Sequence, residues 1–158
     1  MKAVLEAVLE AVPPGETILL DTSVLLAHLG QRDRVGAIAT ELIADCLMTG
    51  RNPGVISTIT VGELLVRPHR ASRQAGDTVL GFLWSIPDLL IRSVDFLVAA
   101  EAARLRAARR LSVPDSLILA TAALVDARVL ATNDRGLAAD ARVLAPGTHV
   151  LLLSDLAA

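Results

Sequence analysis

Short runs of apolar residues are spaced along the chain and separated by longer segments with helical periodicity. Because these runs are apolar nearly throughout rather than at alternate positions, they indicate strands that are buried on both faces. Strands of this kind form parallel sheets, whose connecting helices cover the two faces. The sequence therefore predicts an α/β fold, a three-layer α/β/α sandwich with a mostly parallel central sheet. The predicted strands are residues 17–20, 54–57, 89–94, 128–132 and 149–153.

The segments between the predicted strands have helical patterns, several of which end at a glycine or a proline. Pro68 is expected to end the fourth helix, and Phe82 and Trp84 are expected to face inward from the fifth. No linker, repeat or low-complexity segment interrupts the pattern, so residues 1–158 are expected to form one domain. The predicted helices are residues 2–12, 22–29, 35–49, 59–66, 72–85, 96–110 and 113–125.

The composition is that of a folded chain, with 53% hydrophobic residues among 158 and a net charge of -2. This excludes a disordered protein, and the longest uncharged stretch, residues 143–154, is too short to cross a bilayer. Glu6 and Glu10 interrupt the apolar N-terminal stretch, which is not typical of a secretory signal, so a cytoplasmic location is expected. The single cysteine, Cys46, cannot form an internal disulfide and is expected to be a buried, inert thiol.

Acidic residues occur where the predicted fold would place a ligand. Asp21 directly follows the first strand, Asp134 follows the fourth, Asp115 lies in the first turn of an apolar helix, and Glu63 lies inside another helix. Ligands of open parallel sheets bind beyond the carboxyl ends of the strands, so these carboxylates are expected at one edge. Converging carboxylates repel one another, and a divalent cation relieves this repulsion. The donors are hard oxygens and the three histidines are scattered, which favours Mg²⁺ or Mn²⁺ over zinc.

Each of these acids also has a purely structural interpretation. Asp21 and Asp134 have the residue type that caps helices and turns, and Asp115 would stabilise a helix N-terminus through the helix dipole. Glu63 is either buried with a partner or solvated, where Arg67 four residues later would pair with it.

A divalent cation at such a site lowers the pKa of a bound water and neutralises a leaving oxygen. The metal interpretation therefore predicts phosphodiester hydrolysis.

The four acids lie in segments that resemble, in order, the four acidic motifs of the PIN-domain family, especially its VapC-type toxins: LLDTSVLLAHL, STITVGELLVRP, SVPDSLILATAAL and VLATNDRGL. The resemblance covers nearly all of residues 17–153. It implies a PIN-like fold and a Mg²⁺- or Mn²⁺-dependent ribonuclease whose metal ligands and catalytic residues are Asp21, Glu63, Asp115 and Asp134. Thr22 and Thr132 match small hydroxyl positions of these motifs and would orient the carboxylates.

The resemblance also implies a homodimer and an antitoxin protein whose tail covers the acidic site. PIN toxins usually begin almost at the first strand, whereas residues 1–16 precede it here. The domain is therefore expected to carry an N-terminal helical extension, whose role the sequence leaves open.

The basic residues suggest how an RNA substrate would bind. Lys2 is the only lysine among the 15 basic residues, and the guanidinium of arginine forms bidentate contacts with phosphate. The alternative for arginines on helices is an ordinary solvated face. The candidates for RNA contacts are Arg67, Arg70, Arg73, Arg106, Arg109 and Arg110.

Several other enzyme classes are excluded by missing residues. A Walker A motif requires a lysine that is absent, and Ser23 stands where phosphatases of the HAD type need a second acid. Neither a nucleophile elbow nor a dinucleotide-binding glycine motif follows the first strand. The remaining alternative is a PIN-like domain that binds RNA or a protein without cutting. The full set of four acids favours the ribonuclease, because a scaffold gains nothing from keeping like charges together.

Overall fold

Five parallel strands form the centre of the computed structural model, which describes residues 2–30 and 33–158. The strands are β1 Ile18–Leu20, β2 Gly54–Ser57, β3 Leu90–Arg92, β4 Val129–Thr132 and β5 His149–Leu152. Their order in the sheet is β3-β2-β1-β4-β5, and every pairing is parallel. In this register Leu20 lies opposite Ala131, so β1 and β4 end at the same edge of the sheet.

Helices connect the strands and cover the two faces of the sheet. Helix α3, Arg34–Glu41, continues directly into a π-helical segment, Leu42–Leu47, which contains the buried Cys46. Burial raises the pKa of the Cys46 thiol, which is consistent with the predicted inert cysteine. In the part of the chain that the structure describes, no helix is long and apolar enough to span a membrane. The helices are α1 Lys2–Ala11, α2 Thr22–Gly30, α3 Arg34–Glu41, α4 Thr58–Ala71, α5 Arg73–Ser85, α6 Phe96–Ala108, α7 Val113–Leu124, α8 Arg135–Leu144 and α9 Leu153–Leu156.

Alternate strand residues pack into two apolar cores on opposite faces of the sheet. Ile18 and Leu20 belong to the core formed with α1 to α5 and α9, whereas Leu19 belongs to the core formed with α6, α7 and α8. Strand β4 divides in the same way, since Val129 contributes to the first core and Leu130 to the second. Apart from its edge strand β3, the sheet is thus buried on both sides, which confirms the predicted three-layer α/β/α sandwich and explains the nearly continuous apolar runs.

The residues that precede β1 pack onto the fold. Val12 is fully buried, and the Arg51 guanidinium donates a hydrogen bond to its carbonyl at 2.7 Å. Asn52 is 1% exposed and donates its side-chain amide to the carbonyls of Pro13 at 2.7 Å and Glu16 at 2.9 Å. The loop before β2 therefore holds the chain between α1 and β1 in place.

Helix α4 extends beyond the predicted end at Pro68 and runs to Ala71. A proline removes one helical hydrogen bond, the one to the carbonyl four residues earlier. The next turn still forms, because the Ser72 amide donates to the carbonyl of Pro68 at 3.0 Å. The Ser72 hydroxyl then caps α5 by accepting from the Ala75 amide at 3.0 Å. The predicted boundary was wrong because Pro68 lies in the last turn of the helix, where one lost bond is tolerated.

Trp84 is 75% exposed, so its predicted inward orientation is wrong. Phe82 is half-buried and stacks on His28 with the ring centroids 5.0 Å apart, in line with its predicted orientation. The buried position at this end of α5 is Leu83, and the next residue points about 100° away around the helix. Strand β3 is shorter than the predicted 89–94, and helices α8 and α9 were not predicted.

Candidate active site

A cleft of about 450 Å³ lies at the edge of the sheet where β1 and β4 end. It brings together the four acidic residues that the sequence predicts, Asp21, Glu63, Asp115 and Asp134. Asp21 directly follows β1, Asp134 follows β4 after one intervening residue, Glu63 lies on α4, and Asp115 lies in the first turn of α7. The crossover topology is thus what places four acids from distant parts of the sequence around one space.

Asp21 is the most buried of the four, with 8% of its surface exposed. Its Oδ2 atom accepts hydrogen bonds from the hydroxyl of Ser23 at 2.6 Å and from the hydroxyl of Thr132 at 2.9 Å. Among the described residues, the hydrogen bonds to this carboxylate all end on Oδ2. The Oδ1 atom is therefore the one that can bind a ligand.

Glu63 is exposed on α4 and points towards α2. The hydroxyl of Thr22 donates to its Oε2 at 2.6 Å, which is a charge-assisted hydrogen bond. Among residues 2–30 and 33–158, Glu63 forms no ion pair with Arg67, so the surface pair considered as an alternative does not form. Thr22, predicted to orient a carboxylate, contacts Glu63 through its side chain.

Asp115 lies in the first turn of α7, and its backbone amide donates to the hydroxyl of the N-cap residue Ser112 at 3.1 Å. Burial raises the pKa of its carboxyl group, and the negative charges of Asp134 and Asp21 raise it further, against the effect of the Ser112 hydroxyl. Part of this shift is repulsion from neighbouring carboxylates, and a cation bound in the cleft would relieve that repulsion.

Asp134 is the N-cap of α8, as its structural interpretation predicts. Its Oδ1 accepts from the backbone amides of Gly136 at 2.7 Å and Leu137 at 3.0 Å. Its own amide donates to the hydroxyl of Thr132 at 3.0 Å. Capping uses one carboxylate oxygen, so Oδ2 of Asp134 remains for the cleft that this residue also lines.

The donor set can be compared with the needs of a divalent cation. Four carboxylates supply only hard oxygens, and Asp21 and Asp134 are each fixed through one oxygen. Within the described ranges, no three His, Cys, Asp or Glu side chains are grouped closely enough to hold a metal ion. The residues thus fit Mg²⁺ or Mn²⁺ in donor chemistry, and a bound ion would require the side chains that line the cleft to move closer together.

The predicted RNA-binding arginines differ in their surroundings. Arg109 forms an ion pair with Asp140, and Arg106 donates to the carbonyl of Leu111 at 3.2 Å. Arg67 lines a groove of about 610 Å³ next to the acidic cleft. In the described part of the chain no ion pair involves the other three, which are exposed: Arg70, Arg73 and Arg110.

Ser23 is a polar residue of the cleft that the sequence analysis did not assign to the site. Its hydroxyl donates to Asp21 and accepts from the amide of Asn133 at 2.8 Å. The available signal was a small hydroxyl residue two positions after the first acid, but the sequence does not show that the loops after β1 and β4 meet there.

The comparison with known proteins identifies a family. The family model of the PIN domain matches residues 18–142. Among solved structures, a toxin–antitoxin complex from Klebsiella pneumoniae is 24% identical, with a TM-score of 0.64, and the match covers 86% of this chain and 97% of that chain. VapC20 of Mycobacterium tuberculosis, described as a Sarcin-Ricin loop cleaving toxin, is 18% identical with a TM-score of 0.63, covering 77% of this chain and 93% of that chain.

A third similar structure is DNA-bound VapBC from Salmonella typhimurium, which is 21% identical with a TM-score of 0.62, covering 87% of this chain and 98% of that chain. No curated protein matches the chain significantly. The family match spans most of the sequence and includes all four acids of the cleft. The chain belongs to the PIN-domain family, and its fold is the one found in VapC-type toxins.

Proposed function

We propose that this protein is a Mg²⁺- or Mn²⁺-dependent endoribonuclease and the toxin of a toxin–antitoxin pair that acts in the cytoplasm. The observation that carries the proposal is the cleft in which Asp21, Glu63, Asp115 and Asp134 meet. Membership of the PIN-domain family and similarity to a toxin described as cleaving the Sarcin-Ricin loop support this choice. A scaffold that only binds RNA or protein would have no use for four carboxylates around one cleft.

The four acids have different roles in this proposal. Asp21 and Asp115 would hold the metal ion, and Glu63 and Asp134 would complete the site and orient the attacking water. When bound, the ion would lower the pKa of that water and neutralise the negative charge on the leaving oxygen. Thr22 and Thr132 keep the carboxylates of Glu63 and Asp21 in place through their hydroxyls.

Exposed arginines would bind the RNA backbone, because RNA affinity depends largely on phosphate charge. Arg70, Arg73 and Arg110 are the strongest candidates, since they are exposed and have no ion pair with described residues. Arg109 is a weaker candidate, because binding phosphate would compete with its pair to Asp140.

An antitoxin segment would cover the cleft and the neighbouring groove between α2 and α4. The groove is mostly apolar and shares Leu26 with the cleft. A helical segment with an apolar face would fit the groove, an acidic side chain would pair with Arg67, and a basic side chain would reach the carboxylates. The similar structures from Klebsiella pneumoniae and Salmonella typhimurium are toxin–antitoxin complexes, which supports a partner of this kind.

A second copy of the chain would cover exposed apolar side chains of β3 and of the segments that flank it in the sequence. Two of the three aromatic residues of the chain are exposed in these segments, Trp84 by 75% before β3 and Phe96 by 83% after it. Leu97 and Leu90 are also exposed, and aromatic and apolar side chains of this kind are enriched in the buried centre of protein interfaces. The homodimer expected for this family is therefore proposed to form through this surface.

The function is tested by incubating total bacterial RNA with the purified protein and Mg²⁺ or Mn²⁺, beside Asp115→Asn. We expect the wild type to cut RNA, EDTA to stop it, and Asp115→Asn to be inactive. The variant should fold, since burial and negative neighbours disfavour the charged Asp115 that the amide replaces. Asp77→Asn is the matched control, because Asp77 is exposed on α5 and does not line the cleft.

Thermal unfolding with Mn²⁺ separates the ribonuclease from the scaffold. An ion that binds only the folded state raises the melting temperature of the wild type, and Asp115→Asn should lose most of this shift. Equal cleavage by the wild type and Asp115→Asn would overturn the assignment of Asp115. A folded wild type that neither cuts RNA nor responds to Mn²⁺ would favour the scaffold.

A further inference from the structure

Ser23 lies between the two loops that carry the acids Asp21 and Asp134. Its Oγ is 2.6 Å from Oδ2 of Asp21, 2.8 Å from the backbone nitrogen of Asn133 and 3.4 Å from Oγ1 of Thr132. One hydroxyl group thus connects the start of α2 with the segment after β4, two regions far apart in the sequence.

The directions of these hydrogen bonds follow from the donors. The amide of Asn133 can only donate, so the Ser23 oxygen accepts there and its single hydrogen goes to Oδ2 of Asp21. Thr132 repeats the pattern: its oxygen accepts from the amide of Asp134 at 3.0 Å and its hydrogen goes to the same Oδ2 at 2.9 Å. Two consecutive backbone amides therefore direct two hydroxyl hydrogens onto one carboxylate oxygen.

This arrangement decides which oxygen of Asp21 is available. Oδ2 receives both hydroxyl hydrogens, whereas no described residue donates to Oδ1. The Asp21 carboxylate cannot rotate without breaking these two charge-assisted hydrogen bonds, and Asp21 is only 8% exposed. Asp21 would therefore bind a ligand through Oδ1 alone, and its orientation depends on the loop that carries Asp134.

We propose that Ser23 is a positioning residue that, together with Thr132, fixes Asp21 for single-oxygen metal binding and connects it to the Asp134 loop. The metal part of this inference rests on the proposed function. Removing the hydroxyl would leave the amide of Asn133 without its acceptor, next to an Asn133 Oδ1 that is buried and already has no partner among the described residues. Ser23 also makes the shorter of the two hydroxyl hydrogen bonds to Oδ2 of Asp21, 2.6 Å against 2.9 Å for Thr132.

The first test measures Mn²⁺ affinity by calorimetry for the full-length wild type, Ser23→Ala and Ser23→Thr. Ser23→Ala should bind Mn²⁺ about 10- to 100-fold more weakly, the usual effect of losing a group that orients a metal ligand. Ser23→Thr keeps the hydroxyl and should recover most of the affinity. Ser85→Ala is the control, because it removes an exposed hydroxyl that, among the described residues, bonds to the carbonyl of Phe82. Unchanged Mn²⁺ affinity in Ser23→Ala would overturn the proposal.

The second test needs no metal. Amide hydrogen exchange of Asn133 should become faster in Ser23→Ala and stay unchanged in Ser85→Ala, because only the first variant removes the acceptor. Unchanged exchange would overturn the connection between the two loops. If the wild type shows this protection but does not bind Mn²⁺, the proposed metal-dependent function fails while the connection through Ser23 stands.

Discussion

Replacing Asn52 by alanine tests whether the segment before β1 is an integral part of the domain. The side chain is 1% exposed and makes three hydrogen bonds: it donates to Pro13 and Glu16, and it accepts from Arg51 at 3.1 Å. Each such bond contributes about 1 kcal/mol, and the carbonyls left behind lose their donors in a buried site. Asn52→Ala should therefore lower the free energy of unfolding by about 3 kcal/mol.

A loss of this size is a large part of the total stability of an ordinary domain, which is about 5–15 kcal/mol. In a domain of this length it corresponds to a decrease in melting temperature of about 6–12 °C. Urea denaturation gives the free energy, and hydrogen exchange shows whether the loss is concentrated in residues 5–16. Asn52→Asp should be similarly destabilising, because it keeps the shape but turns the amide donor into an acceptor facing two carbonyls.

Gln74→Ala on the exposed face of α5 is the control and should change the stability by less than about 0.5 kcal/mol. The reasoning is refuted if Asn52→Ala unfolds within about 2 °C of the wild type. It is also refuted if Asn52→Asp is as stable as the wild type, since the amide hydrogens would then contribute nothing.

Three further predictions concern other parts of the fold. Burial lowers the pKa of His28 in the folded protein, so the His28 side chain binds a proton more readily in the unfolded chain. The free energy of unfolding should therefore fall as the pH drops below about 6.5. Chemical denaturation should show a smaller loss in His28→Leu. Phe96→Glu changes a residue that is 83% exposed, so it should leave the monomer stable but abolish the proposed dimer in light scattering; a dimer that persists would exclude this surface. A Cβ at Gly76 would lie 2.1 Å from Cε1 of His69, so Gly76→Ala should lack the usual gain of about 1 kcal/mol and recover it in a His69→Ala background. Additive effects in this double-mutant cycle would show that the two residues do not interact.

The central sheet could be predicted because its strands are defined by a local property. Burial on both faces requires apolar residues at successive positions, as in β2 and β4, and this is visible without any knowledge of the neighbouring elements. The errors concern features that depend on context. Pro68 ends a helix only where the lost hydrogen bond is not tolerated, and Trp84 is exposed because the neighbouring Leu83 takes the inward position.

The acids of the site were predictable for a related reason. A carboxylate after an apolar strand is unusual, and the parallel topology then places such residues at one edge. The hydrogen bonds that connect the acids were harder to predict. The hydrogen bond between Ser23 and Asn133 joins two loops, and nothing in the local sequence of either loop indicates it. The sequence therefore predicts which residues line the site more readily than it predicts the hydrogen bonds among them.

The structural and functional interpretations of these acids are compatible, because a carboxylate has two oxygens. Asp134 caps α8 through Oδ1 and keeps Oδ2. Asp21 accepts two hydroxyl hydrogens through Oδ2 and keeps Oδ1. A helix cap or a buried hydrogen bond fixes the side chain, and the conformational entropy of that side chain is lost when the protein folds. Binding a ligand through the remaining oxygen therefore causes little further loss of entropy. The bonds that explain these residues structurally are therefore also what would make them good ligands, and finding a cap at an acid is no argument against a metal site there.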